Sequence, residues 1–453
     1  MLKVGKKGPA ALATEVALPR DLGSYFPTVA RHPFPFLLES AAGGRHSFLG
    51  SNPYAALVAR GDRLSLWREG IEKTFRGNPF DVLAELLAER RAENDRSLPF
   101  PCGAAGAFGY DLGRHLERLP HRAEDDLDFP DLVLGFYDRV VMVDHQEGKA
   151  RIVELAGRAS KRAIDPRVYD EAFGGAGIAG RGANFTRTRY LAAVARIKEY
   201  IVAGDVYQVN LAQRFHARVE RPPFEVYRAL REASPAPYAA YLEFGRRALL
   251  SSSPEQFLEL SDRRLVTRPI KGTRRRSDDA DEDERLRQEL FASPKDDAEL
   301  AMIVDLERND LGRVCEYGSV QVAEPKVLES HATVHHLSAV IEGKLRRGLG
   351  PVDVLRATFP GGSITGAPKI RAMEIIDELE PTRRAFYTGA IGHIGFDGSM
   401  NLSVAIRTVM ADGPDFFFHA GGGIVADSDP QAEYEETLVK AAAMARALGI
   451  SVG

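Results

Sequence analysis

The spacing of apolar residues changes character along this chain. Over the first 172 residues they come in short runs of period two, as at Tyr54 to Val58, Leu64 to Trp67 and Leu132 to Val143. That pattern, rich in β-branched residues, predicts strands. Beyond Asn184, strand-like runs alternate with helical ones. From Arg187 to Ala203 the apolar Tyr190, Val194, Ile197 and Ile201 share one helical face, and Gly204 suits the position just past the end. A second helix starts at Ser293-Pro294, a cap followed by proline in the first turn, and runs through AELAMIVDLERND. A third starts by the same device at Ser428-Asp429-Pro430 and runs through QAEYEETLVKAAAMARAL.

Two stretches break these patterns. FGGAGIAGRGAN, Phe173 to Asn184, carries five glycines and predicts a flexible connection between a region at 1–172 and one at 185–453. RRRSDDADEDE, Arg274 to Glu284, predicts a solvated loop. HAGGGIVADS, His419 to Ser428, and PGGSITGAPK, Pro360 to Lys369, predict glycine turns at which backbone can approach a ligand closely.

Composition narrows the class. The 453 residues are 44% hydrophobic and 27% charged, an ordinary globular balance. A net charge of −4 favours neither nucleic acid nor an anionic membrane as partner. Cys102 and Cys315 stand far apart with no zinc-type spacing, so a reducing, cytoplasmic setting is expected. No signal peptide or membrane span is apparent.

Several residue sets have chemical potential. Glu433, Glu436 and Lys440 fall on one helical face, either as a solvated surface or as oxygen ligands for a hard cation. Glu299 precedes the apolar Leu300 to Val304, where a carboxylate needs a partner. Lys271, after Leu265-Val266-Thr267 and before Gly272, is either an exposed lysine or a nucleophile of lowered pKa. Arg407 lies in an apolar strand-like run where a cation needs an anion. Glu255, His335, His336 and Tyr387 are ambiguous taken singly. PGGSITGAPK lacks the Lys-Ser/Thr of a phosphate loop, so a nucleotide site is not expected.

As an ordered set these segments resemble the chorismate-utilising enzymes, which include the anthranilate, aminodeoxychorismate, isochorismate and salicylate synthases. The matching runs are GDVYQVNLAQRF, SSSPEQF, RPIKGTR, ELAMIVDLERNDLGRV, VHHL, FPGGSITGAPK, YTGAIG, AIRT, AGGGIVADSDP and AEYEET, with FLLES, RHSFLGSNPY and GAFGYDLGRHLE before them. The resemblance implies an α+β fold, a sandwich of two large antiparallel-rich sheets with helices on the outer faces and the active site between the sheets. It implies Mg2+ held by Glu299 and Glu436 with Glu433 beside them, and Glu255 as general acid. Contacts to chorismate are implied for Thr273, His336, Ser363, Tyr387, Arg407, Gly421, Gly422, Gly423 and Lys440. Glu39, Ser40, Pro237 and Tyr238 correspond to an amino-acid pocket.

Two positions distinguish the branches. Family members that add water carry a lysine base where this chain has Gln208, and a neutral amide does not activate water, so ammonia is the expected nucleophile. PIKGT at Lys271 resembles the aminodeoxychorismate synthases, where anthranilate synthases show PIAGT. This implies amination of chorismate at C4 through a covalent Lys271 intermediate, giving 4-amino-4-deoxychorismate, the precursor of p-aminobenzoate and folate. Amination at C2, or a non-catalytic relative that binds an aromatic amino acid, are the alternatives. Neither cysteine has a glutaminase context, so ammonia is expected from a separate glutamine amidotransferase subunit.

Overall fold

A computed structural model describes residues 9–18, 21–68, 70–94, 98–156, 182–331 and 334–452. Two twelve-stranded sheets dominate it. Elements are numbered in chain order. The first sheet runs β1 (Ala11–Val16), β10 (Lys149–Leu155), β9 (Arg139–Asp144), β3 (His46–Gly50), β2 (Phe36–Glu39), β13 (Tyr238–Phe244), β14 (Arg247–Ser253), β23 (Thr408–Asp412), β24 (Asp415–Ile424), β12 (Gln208–Arg218) and β11 (Gly182–Ala183), with β20 (Gly366–Ala367) also on β12. The second runs β17 (Ile270–Arg275), β19 (Val334–Lys344), β16 (Arg264–Arg268), β15 (Gln256–Ser261), β22 (Met400–Val404), β21 (Ala390–Gly395), β7 (Gly103–Phe108), β8 (Leu132–Tyr137), β4 (Ala55–Arg60), β5 (Arg63–Arg68) and β6 (Ile71–Arg76), with β18 (Gln321–Ser330) on β19. Neighbouring strands are antiparallel, and strands from both sides of the glycine-rich stretch mix in each sheet, as where β2 pairs β13 and β7 pairs β21.

Period two along the strands sorts side chains between layers. On β2, Phe36 and Leu38 join the core shared by both sheets, whereas Leu37 faces the outer helices. The described helices are α1 (Leu22–Val29), α2 (Pro79–Glu89), α3 (Arg187–Val202), α4 (Pro223–Ala233), α5 (Ala280–Phe291), α6 (Pro294–Gly312), α7 (Pro351–Thr358), α8 (Lys369–Leu379) and α9 (Pro430–Leu448). Helices α1, α4 and α9 cover the outer face of the first sheet through Phe26, Leu230 and Met444. Helices α3 and α8 cover the β12 end through Ile197 and Met373. Helices α5 and α6 pack on β17 and β19. This is the α+β sandwich the resemblance implied. No described helix is long and apolar enough to cross a membrane.

The predicted helix boundaries hold where capping chemistry was visible. Ser293 accepts from Asp296 N and Asp429 from Ala432 N, each followed by proline. Gly204 follows α3 at φ 82°. Four expectations need correction. Arg274 to Glu284 is not one solvated loop: Arg274 and Arg275 end β17, and α5 begins at Ala280, capped by Asp279 with three acids in its first turn, where the helix dipole favours them. Gly421 to Gly423 do not form a turn but lie inside β24, pressed against β12, where a Cβ on Gly421 would meet Leu211 O at 2.5 Å. Arg407 lies not on a strand but in the link between β22 and β23, at φ 48°. Leu132 to Val143 spans two strands, parted at Asp138. Of the glycine-rich stretch, residues 173–181 lie outside the described residues.

One buried ion pair ties the layers together near the β12 end. Arg384 donates to Glu380 at 2.6 and 2.9 Å, to the carbonyls of Asn210 at 2.7 Å and Ile364 at 3.2 Å, and to Thr388 Oγ1 at 3.2 Å. Glu380 also accepts from Ala212 N at 2.9 Å. Replacing Arg384 by methionine strands a buried carboxylate. Urea unfolding of Arg384→Met is expected to show a loss of about 3–5 kcal/mol; a loss below about 1 kcal/mol, the scale of an exposed pair, would contradict this role.

Candidate active site

Two chain links cross side by side from one sheet to the other. Pro254-Glu255 joins β14 to β15, and Ala405 to Arg407 joins β22 to β23. Because β14 pairs β23 and β15 pairs β22, the links are held together: Ser252 N donates to Arg407 O at 3.1 Å, and Val404 N to Glu255 O at 3.0 Å. The crossing places a carboxyl and a guanidinium at the joint between the sheets.

Glu255 is buried and accepts from Ser363 Oγ at 2.6 Å. Burial raises its pKa to about 7 against the opposing effects of that bond and of Lys271. Such a carboxyl is part protonated near neutrality and can deliver a proton. Ser363 lies in the Pro360 to Pro368 segment, whose Gly362 is pressed on α6: a Cβ there would meet Leu306 Cδ2 at 2.5 Å. Gly362 N donates to Glu307 Oε1 at 3.1 Å. Glu307 was missed by sequence reasoning because ERND on a helix reads as a solvated face. It is buried, and burial with Asp310 beside it raises its pKa to about 8. It therefore supports the turn that carries Ser363 from a position where burial disfavours its charged form.

Lys271 enters from the edge of the second sheet. The register of β17 on β19 slips between Lys271 and Thr273, with Gly272 at φ 73° as the extra residue. This bulge re-aims the neighbouring side chain. Lys271 is half-buried, and its ammonium has no hydrogen bond or ion pair among the described residues. Burial lowers its pKa, opposed by Glu299 and Glu255, while Lys440 lowers it further. The sequence left open whether it was a surface lysine; the structure turns it toward carboxylates.

Thr273 Oγ1 and His336 Nδ1 are 2.9 Å apart, and His336 Nε2 is buried without a partner among the described residues. Burial, then Arg407, push the His336 pKa down to about 3, so its ring is neutral. His335, by contrast, is engaged by Asp283 at 3.1 Å and Ser330 at 2.8 Å, a structural role. Arg407 donates to Ser234 Oγ at 3.4 Å and has no carboxylate at ion-pair distance among the described residues. A half-buried guanidinium without an anion suits an anionic ligand. Tyr387 is buried and stacks on His419, centroids 4.9 Å apart.

The carboxylates of α9 converge over β24. A Cβ on Gly422 would lie 3.0 Å from Glu433 Oε2, 3.7 Å from Glu436 Oε1 and 3.9 Å from Lys440 Nζ, so glycine keeps this space open. Glu433 accepts from Ser428 Oγ at 2.6 Å; Lys440 bonds Glu436 at 2.6 Å and Gly421 O at 2.9 Å. Glu299, on α6, has Lys295 at 3.8 Å as its one ion-pair partner among the described residues. Its pKa is raised by burial, with Glu436 among the further causes. Among the described residues no three His, Cys, Asp or Glu side chains stand ready as a metal cage. Magnesium needs fewer: one or two carboxylates, with substrate oxygens and water completing its shell. The Glu299 and Glu436 pair fits that requirement. Gln208 is buried against Gly423, where a Cβ would meet its Nε2 at 2.8 Å.

The expected amino-acid pocket is separate. Ser40, Pro237 and Tyr238 line a cavity of about 1410 Å³, and with Glu39 a smaller one of about 80 Å³ beside it. None of the residues around Lys271 lines either. The Glu39 carboxylate is taken by Arg231 at 2.7 Å and Tyr227 at 3.0 Å, toward α4.

Comparison with known proteins identifies the family and the fold. A family model described as chorismate binding enzyme matches residues 34–446. Aminodeoxychorismate synthase component 1 of Klebsiella aerogenes is 42% identical over 92% of this chain and 94% of its own length. Anthranilate synthase component 1 of Thermus thermophilus is 40% identical over 94% of each chain. Among solved structures, anthranilate synthase component I from Streptococcus pneumoniae superposes with a TM-score of 0.76 at 33% identity, covering 88% of this chain and 92% of that one. The menaquinone-specific isochorismate synthase MenF of Escherichia coli shares the fold, with a TM-score of 0.69 at 19% identity over 98% of this chain and 95% of that one. The chain belongs to the chorismate binding enzyme family.

Proposed function

We propose that this chain aminates chorismate at C4, giving 4-amino-4-deoxychorismate for p-aminobenzoate and folate synthesis. The observation that carries the reading is Lys271: a half-buried amine of lowered pKa, without an ion pair among the described residues, facing the carboxylates of Glu255, Glu299 and Glu436. Similarity to the component 1 proteins of several aminodeoxychorismate synthases supports it. So does the neutral amide at Gln208, which does not activate water. A separate glutaminase subunit supplies the ammonia.

Arg407, with Thr273, His336 and the Gly421 to Gly423 backbone, would hold the substrate's oxygens and fix the ring. Glu299 and Glu436, with Glu433 beside them, would hold Mg2+, which when bound supplies positive charge to a substrate carboxylate. The Lys271 amine attacks C2, and the ring double bonds shift as the C4–O bond breaks. Glu255 gives its proton to the departing hydroxyl, which leaves as water. Ammonia then adds at C4, the double bonds shift back, and the C2–N bond breaks to return Lys271. Overall, chorismate and ammonia give the 4-amino product and water. Splitting one displacement into two is the benefit of a covalent intermediate.

Three outcomes follow from these roles. With chorismate, magnesium and ammonium chloride, the native chain is expected to form the 4-amino product, and Lys271→Ala to lose at least about a hundredfold in that rate, on the scale of removing a covalent route. Product analysis by chromatography checks both; an unchanged rate and product in the variant would refute the lysine's role. Glu436→Gln is expected to raise the magnesium concentration needed for half-maximal rate, because an amide oxygen is a poorer ligand for a hard cation. Superimposable magnesium titrations would remove Glu436 from the metal site. The acid form of Glu255 is lost as pH rises through about 7, so the rate falls on the alkaline side. The Ser363 bond lowers the Glu255 pKa, so in Ser363→Ala that alkaline limb moves to higher pH. A shift to lower pH would contradict the Ser363-Glu255 pairing.

A further inference from the structure

Ser363 sits in a single 3-10 turn, Gly362–Ile364, whose carbonyls and amides are satisfied in different ways. Thr365 Oγ1 donates to Gly361 O at 2.9 Å and to Gly362 O at 3.2 Å, and Arg384 donates to Ile364 O at 3.2 Å. The cap position before the turn is Gly361, which has no side chain to accept from the first amides. A Cβ there would crowd Phe257 at 3.2 Å, so a local serine or aspartate cap does not fit.

The acceptor comes instead from α6. Gly362 N donates to Glu307 Oε1 at 3.1 Å, and the Ser363 amide, next along, also favours the charged form of Glu307. Asp310, three residues on and on the same helical face, binds Lys369, whose ammonium also donates to Thr358 O at 2.7 Å. Glu307 and Asp310 thus pin both ends of segment 362–369 to α6. Two buried carboxyls one turn apart each raise the cost of charging the other. Asp310 has a cation to offset that cost; Glu307 has none at ion-pair distance among the described residues, and its Oε2 has no hydrogen-bond partner there. The charged groups that face Glu307 are Asp310, Lys369 and Glu255. A residue held at such cost against the backbone of one turn is placed to orient that turn.

We propose that Glu307 is a positioning residue for the general acid: from α6 it caps the Gly362–Ile364 turn and so holds Ser363 Oγ on the Glu255 carboxyl, 2.6 Å away. This rests on Glu255 as the acid of the amination reading and says what aims it. Lys271 on β17 and Lys440 on α9 also face Glu255, and the substitutions below leave both in place.

The test uses the full chain with magnesium and ammonium chloride, following chorismate consumption and product across pH. Glu307→Gln keeps an accepting oxygen without charge; Glu307→Met keeps the length and loses the acceptor. Both are assayed at one ammonium concentration, so the change of free ammonia with pH is common to them. Loss of the cap loosens the Ser363 bond, and that bond lowers the Glu255 pKa. Relative to Glu307→Gln, Glu307→Met is therefore expected to show its alkaline limb at higher pH. Its kcat is expected to fall roughly tenfold, the scale of one lost buried hydrogen bond, with the KM for chorismate unchanged. In a Ser363→Ala background, where the bond is already gone, the two limbs should coincide. Should Glu307→Met fail to fold, Glu307→Leu carries the same expectation. Limbs that coincide with Ser363 present, or stay apart without it, overturn the positioning role. Chorismate consumed without the 4-amino product sinks the amination reading alone, since the limbs are read on any product; a chain inert toward chorismate sinks both.

Discussion

Everything in this site depends on keeping one amine partly out of water without pairing its charge. Lys271 is half-buried, so its charged form loses hydration and its pKa falls. An adjacent carboxylate in ion-pair contact would restore the charge and block nucleophilic attack. No carboxylate stands at ion-pair distance from Lys271 among the described residues: Glu255 is held by Ser363, Glu436 by Lys440 and Glu433 by Ser428, while Glu299, first among those that oppose the shift, has Lys295 at 3.8 Å. The carboxylates remain close enough to oppose the shift but not to capture the ammonium. Burial also raises the Glu255 pKa, to about 7, so a carboxyl able to give a proton shares the cleft with an amine whose charged form burial disfavours.

The sandwich supplies that arrangement through its topology. Adjacent strand pairs pass from one sheet to the other at Pro254-Glu255 and at Ala405 to Arg407. The crossing sets the Glu255 carboxyl on Ser363 and the Arg407 guanidinium on Ser234. The buried Arg384-Glu380 pair braces β12, the Ser363 turn and the Tyr387 segment against each other. The glycines of β24 and Gly362 then let α9 and α6 come close enough to present their carboxylates.

Much of this was legible in the sequence because capping and motif order are local signals. Ser293-Pro294 and Asp429-Pro430 mark their helices whatever the fold does, and ten ordered motifs in the catalytic region specify a family more sharply than any one of them. What escaped was decided by partners distant in sequence. Three successive glycines read as a turn until β12 is seen to demand a flat strand there. The acidic Asp278 to Glu284 reads as a loop until Asp279 is seen to cap a helix. Glu307 looks like a surface acid, and only the fold puts Gly362 N against it. Nothing local tells His335 from His336; Asp283 takes the first, and Thr273 pairs with the second.

The covalent role of Lys271 is the claim on which the regiochemistry stands, and it has a direct physical signature. Intact-mass and peptide mass spectrometry of the chain after brief exposure to chorismate and magnesium, with no ammonia source, measures it. A nucleophilic lysine predicts an adduct of chorismate less one water on the peptide that carries PIKGT, discharged when ammonium is added. A chain that turns over with ammonium yet never carries that mass, or carries it on another peptide, would contradict it.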